Sequence, residues 1–185
     1  MDAPRRLSAP KSSATTQLDA CLGSTSWSKV MRISFTGSMT WALAAGAEAV
    51  AISTPADTHI PLTMQAIELG LPVVSDKPFA LDAEAAAQAV QAAEQAGVLL
   101  TVYQNRRWDS DLLTVRRMLD EGALGEPLRF ESAFERWAVD PVPPAAGGGL
   151  LRDFGSHLVD QALHLFGPAR QVYAESHEVA PEVED

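Results

Sequence analysis

Between residues 48 and 103 short apolar runs alternate with helical patterns, and the connections between them are only a few residues long. EAVAIS (48–53) is an apolar run of strand length. After TPADTH, Ile60, Met64, Ile67 and Leu69 recur at roughly helical spacing, with Asp57 or Thr58 placed to cap that helix and Gly70 to stop it. Pro72 to Ser75 reads as a second strand. Asp82 caps the helix AEAAAQAVQAAEQA, which Gly97 ends, and VLLTVY (98–103) is a third strand. Strands joined by helices through short connections pair in parallel with right-handed crossovers. All strand C-termini then share one edge. The loops TPADTH, DKP and YQNRRW lie along it, where open α/β sheets bind ligands.

Beyond that block the pattern changes. Ser110 to Glu121 fits a helix. GEPLRFESAFERW (125–137) alternates, with Leu128, Phe130 and Phe134 on one face, and predicts a strand of a half-solvated sheet. PVPPAAGGG (141–149) is a loop, and DFGSHLVDQALHLFG (153–167) reads as a helix stopped by Gly167 and Pro168. RQVYAE (170–175) is expected to be a strand, and VAPEVED a frayed end.

The opening differs. Residues 1–45 hold five basic and two acidic residues and 13 Ser plus Thr, against nine basic and 22 acidic residues and 11 Ser plus Thr in the rest. The first part reads as a flexible tail, with an Arg- and Ser-rich transit peptide as the rival reading. KVMRISFTG (29–37) is a candidate short strand. The 185 residues are 46% hydrophobic, so wholesale disorder is excluded. The net charge of -10 argues against nucleic acid and anionic membranes as partners. The chain holds one cysteine, Cys21, and four histidines with no H-x-x-x-H pair, which excludes a disulfide framework and gives no metal site. A cytoplasmic protein is expected.

ISTPADTH (52–59), SDKP (75–78), YQNRRWD (103–109) and GGGLLRDFGSHLVDQALHLFG (147–167), in this order and spacing, resemble the Gfo/Idh/MocA family of NAD(P)-dependent oxidoreductases, the glucose–fructose oxidoreductase and inositol dehydrogenase group. The resemblance runs from about residue 46 to 175. It implies an α/β fold: a partial Rossmann-like parallel sheet followed by part of an α/β domain with an open, mostly antiparallel sheet. The expected organisation is an atypical or flexible segment over 1–45, the C-terminal half of a dinucleotide-binding domain over 46–108, and an incomplete substrate or dimerisation domain over 109–185. The family's Glu-Lys-Pro motif is similar to Asp76-Lys77-Pro78, and its Asp-x-x-x-His pair to Asp153 and His157.

These implications give a site. Lys77, Asp153 and His157 are the expected catalytic groups. Thr54, Pro55, His59, Asp76, Lys77, Pro78 and Asn105 are expected at NAD or NADP, and the substrate is a sugar, a polyol or a related hydroxy compound. His157 has the ordinary pKa of a base near neutrality. By spacing alone, Asp153 and His157 read as an i,i+4 helix pair, Lys77 as a solvated lysine, and His59 as a structural hydrogen-bonding residue. Arg106 and Arg107 bind phosphate or are simply solvated or ion-paired, Trp108 walls the pocket or fills the core, and His164 reads as a packed core histidine. The family's G-x-G-x-x-G turn, whose amides approach the pyrophosphate, is absent from the sequence. A truncated, inactive scaffold, sugar-binding or association module is therefore the alternative. In the parent architecture the first strand lies beside the one at 48–53. Unless KVMRISFTG takes its place, the exposed edge predicts self-association into a homo-oligomer.

Overall fold

A computed structural model describes residues 29–33, 39–135 and 149–175. Four parallel strands form one sheet in sequential order: β1 (Val30–Ile33), β2 (Ala49–Ile52), β3 (Val73–Asp76) and β4 (Leu100–Tyr103). The short helix α1 (Thr40–Ala44) joins β1 to β2, α2 (His59–Glu68) joins β2 to β3, and α3 (Ala83–Ala96) joins β3 to β4. The parallel sheet read from the alternating pattern is thus present, and all four strands point their C-termini toward one edge.

Val50, Val73, Ile52 and Ile33 are at most 1% exposed and form the core with Met39, Leu62, Ala66 and Leu71. Strands buried on both faces are why these segments read as near-continuous apolar runs. The Asp82 carboxylate accepts from the Ala85 amide at 2.8 Å, and Gly97 ends α3 with a φ of 64° that favours glycine. The cap expected from Asp57 or Thr58 on α2 does not form. The Thr58 hydroxyl donates instead to the Pro55 carbonyl at 2.6 Å and shares a hydrogen bond with the Thr54 hydroxyl at 2.6 Å, accepting from it, so it tightens the preceding turn of Ala56–Thr58.

KVMRISFTG does take the place beside β2. Val30 to Ile33 pair in parallel with Ala49 to Ile52, and Ile33 reaches the core. The bare edge expected on β2 is therefore covered, and the ground for edge-driven self-association through that strand is removed. The outer edge passes to β1, whose Arg32 is exposed; a charge on an edge opposes further pairing.

Beyond β4 the described elements are all helical: a 3-10 turn (Asn105–Trp108), α4 (Ser110–Asp120), a π-helical turn (Leu151–Gly155) and α5 (Ser156–Phe166). The strand expected at 125–137 does not form over its described part, and Leu128 is 93% exposed. Its alternation has another cause. The Phe130 ring packs on Phe166 with centroids 5.1 Å apart, and Phe134 stacks on Phe154 at 4.6 Å. The aromatic face thus seats against the C-terminal helix, and among the described residues no neighbouring strand offers this segment a hydrogen-bond ladder. Residues 170–175 are likewise outside any strand. The loop expected at 141–149 and the acidic end fall mostly or wholly outside the described residues.

Candidate functional site at the C-terminal edge of the sheet

Each strand of the block ends in a loop at the same edge, and side chains tie these loops together. After β2, the Ser53 hydroxyl donates to the Asp76 carboxylate at 3.3 Å, and Asp76 also accepts from the Lys77 amide at 3.0 Å. Thr54 is half-buried and Pro55 exposed. The Asp76 carboxylate therefore braces the turn that presents Lys77. His59, a candidate for cofactor contact, is 1% exposed, with both ring nitrogens on backbone carbonyls. The imidazole stands behind the edge and joins two loops.

Lys77 reaches across to the C-terminal helical segment. Its Nζ donates to the Asp153 carbonyl at 2.9 Å and forms an ion pair with the Asp153 carboxylate. The amine also lies 6.0 Å from the centroid of the Phe154 ring. The Lys77 side chain is 16% exposed and that of Asp153 36%. The solvated-lysine reading is thereby replaced by a paired, mostly buried amine.

His157, one turn after Asp153, is 4% exposed. Its Nδ1 is buried and meets no hydrogen-bond partner among the described residues. Burial lowers its pKa from the ordinary 6.5, the positive charges of Lys77 and Arg106 lower it further, and Asp153 and Asp109 act in the opposite direction. Burial and the neighbouring positive charges thus favour the neutral imidazole at neutral pH, with a lone pair available. Stability should record this. The unfolded histidine binds a proton near pH 6.5 while the folded one resists it, so the contribution is present above that pH and is lost as pH falls toward the lower folded-state value. Urea midpoints measured from pH 7.5 downward should fall more steeply in the wild type than in His157→Gln below about pH 6.5.

The third loop supplies residues that the sequence pattern did not single out. Gln104, directly after β4, holds a buried Oε1 without a partner among the described residues. The same edge argument that pointed to Asn105 applies to it, and Asn105 itself is exposed. Arg106 pairs with Asp109 at 3.2 Å and lies 5.3 Å over the Phe134 ring. Arg107 grips Asp160 of α5 with two nitrogens, at 2.8 and 2.5 Å. Both arginines are thus ion-paired. Trp108 is 44% exposed. His164 is exposed and hydrogen-bonded to Arg116 at 3.1 Å rather than packed in the core, because it faces α4.

The Arg107–Asp160 fork and the Gln161 amide, which donates to the Arg106 carbonyl at 3.3 Å, hold α5 and its His157 against the end of β4. Arg107→Ala should cost about 1–2 kcal/mol, less than a fully buried pair because Arg107 is 41% exposed while Asp160 is 13% exposed. Arg107→Lys should recover only part of it, since an ammonium cannot make the two-pronged contact. Urea denaturation of the three proteins checks this.

One half of this edge carries groups whose chemistry suits the nicotinamide end of a dinucleotide. The orphaned Gln104 Oε1 suits an amide N–H, and Thr54, Asp76, Lys77 and Asn105 line the loop ends where nicotinamide-binding sheets take their ligand. No glycine-rich phosphate turn is encoded for the other half.

Comparison with known proteins agrees with this frame. Residues 12–104 match the model of the oxidoreductase family with an NAD-binding Rossmann fold, and residues 112–185 match that of the GFO/IDH/MocA C-terminal domain. The chain belongs to the Gfo/Idh/MocA oxidoreductase family. It is 38% identical over 151 residues to the uncharacterized oxidoreductase C115.03 of Schizosaccharomyces pombe, covering 75% of this chain and 40% of that protein. It is also 38% identical over 132 residues to the scyllo-inositol 2-dehydrogenase (NADP(+)) IolW of Bacillus subtilis, covering 69% of this chain and 37% of the other. The structure of an NAD-binding protein from Listeria innocua superposes with a TM-score of 0.64 at 32% identity, over 71% of this chain and 40% of that one. The chain spans about two fifths of the length of the curated relatives it matches.

Proposed function

We propose that the chain carries the reacting centre of an NAD(P)-dependent oxidoreductase that acts on a sugar, a polyol or a related hydroxy compound. In this reading residues 46–108 belong to the dinucleotide-binding domain, residues 109–185 to a substrate domain, and the protein is cytoplasmic. The observation that supports it best is the meeting of Lys77 with Asp153 one turn before a buried His157 Nδ1 that has no partner among the described residues. A name such as scyllo-inositol 2-dehydrogenase on a relative points to the same substrate class.

Bound NAD or NADP supplies the hydride acceptor or donor. The residues of this chain do the rest. In oxidation, His157 takes the proton of the substrate hydroxyl as the carbon gives up its hydride and the carbonyl forms. Lys77 donates a hydrogen bond to that same oxygen and steadies the charge that develops on it. Asp153 holds the ammonium in place between turnovers. Thr54, Pro55, Asp76, Pro78 and Asn105 seat the nicotinamide end. Titration of NADH and NADPH by fluorescence tests the reading: binding of either supports it, and no binding of either at millimolar concentration removes it.

The missing phosphate turn favours a second reading, a non-catalytic family member acting as a scaffold, sugar-binding or association module. Sugar or polyol binding without dinucleotide binding in the same titration would select it.

A further inference from the structure

His59 opens α2 and is 1% exposed. Its Nδ1 lies 2.8 Å from the carbonyl oxygen of Pro78, and its Nε2 lies 2.9 Å from that of Thr54. A carbonyl oxygen only accepts, so the ring holds both loops at once only when both nitrogens carry hydrogen; with one hydrogen it holds one loop and turns a lone pair toward the other. The two tie points matter because of their neighbours. Pro78 follows Lys77, and Thr54 follows Ser53, whose hydroxyl braces Asp76. The ring is mounted on a helix anchored by buried Leu62, Thr63, Ala66 and Ile67, a firm support for setting a loop-to-loop distance.

We propose that His59 is a positioning residue for Lys77: its Nδ1–H donates to the Pro78 carbonyl while the ring stands against the Thr54 carbonyl, and this sets the gap between the β2 and β3 loops, and with it the place of the Lys77 amine opposite Asp153. This deepens the reading of the edge as a dinucleotide site and rests on it for its purpose, but the geometric claim is tested without cofactor. His59 touches no substrate or cofactor in this scheme. Its side chain is spent on backbone, and its effect is exerted through the amine next to Pro78.

The test is the rate at which an amine-reactive reagent labels Lys77, located by peptide mass spectrometry in wild type, His59→Ala, His59→Asn, His59→Gln and Leu62→Ala. The Asn amide nitrogen falls near the Nδ1 position and can donate to Pro78, whereas the Gln amide nitrogen falls near Nε2 and serves Thr54. In His59→Ala labelling should rise about fivefold for each bond whose loss releases the loop. His59→Asn should stay close to wild type, and His59→Gln should label faster than His59→Asn. Leu62→Ala weakens the same helix without touching either carbonyl and should raise the rate less than His59→Ala does under native conditions. Equal rates for the Asn and Gln variants, or a rise in Leu62→Ala as large as in His59→Ala, would overturn the proposal. The Asn–Gln comparison carries the test if His59→Ala does not fold. A wild type that binds neither NADH nor NADPH would defeat the proposed function and leave the labelling result standing.

Discussion

Replacing His157 with alanine is expected to lower turnover by about 10²–10⁴-fold, the range for removing a positioned general base. The reason lies in its surroundings. Burial and the adjacent cations keep the imidazole uncharged at neutral pH, so it meets the substrate hydroxyl ready to accept a proton. Lys77→Ala should cost about 10²–10³-fold, the scale for losing one donor to a developing oxyanion. It should also leave a second mark. Lys77 is the larger of the two charge effects that lower the His157 pKa, so its removal raises that pKa and moves the acid limb of the pH–rate profile upward. The change in nicotinamide absorbance with a polyol or sugar substrate measures both effects. Unchanged turnover in either variant would show that other groups carry the reaction. An acid limb that stays put in Lys77→Ala would show that the amine and the imidazole are not coupled.

The second large effect concerns the fold. Ile33→Ala should destabilise the protein by about 2–5 kcal/mol, because the side chain is 1% exposed and its loss leaves a cavity in the main core. It should also expose what β1 now covers. With its parallel partner loosened, β2 presents an apolar edge of Ala49 to Ile52, and size-exclusion chromatography near the unfolding midpoint should show associated species that the wild type lacks. A variant as stable as the wild type would mean that β1 contributes nothing beside β2.

The two predictions are linked through the same edge. The strands hold Lys77 at the end of β3, and α5 brings His157 to it through Lys77–Asp153 and Arg107–Asp160. Loosening the sheet moves one partner of the pair, and loosening the fork moves the other.

Local chemistry made the middle of the chain readable. An apolar run short enough for a strand, an aspartate three residues before the amide it caps and a glycine at positive φ each report their own conformation, so β2, β3, β4 and α3 are visible in sequence. The alternation of Leu128, Phe130 and Phe134 misled for a physical reason. A period of two records only that every other side chain is apolar, and here Phe130 and Phe134 contact the rings of α5 and its preceding turn rather than a sheet. His164 misled similarly: apolar neighbours in sequence are not neighbours in space on a helix.

The candidate site divides along the same line. The order of TPADTH, SDKP and YQNRRW settled which residue types stand at the C-terminal edge of the sheet, because strand direction places every following loop on the same side. Tertiary structure decided the rest. It joined Lys77 to Asp153 across 76 residues, pointed both nitrogens of His59 at backbone, spent Arg107 on Asp160 and left Gln104 Oε1 and His157 Nδ1 buried without a partner among the described residues. Periodicity and capping act within a few residues, whereas pairing and desolvation of a charge depend on what the rest of the chain folds against it.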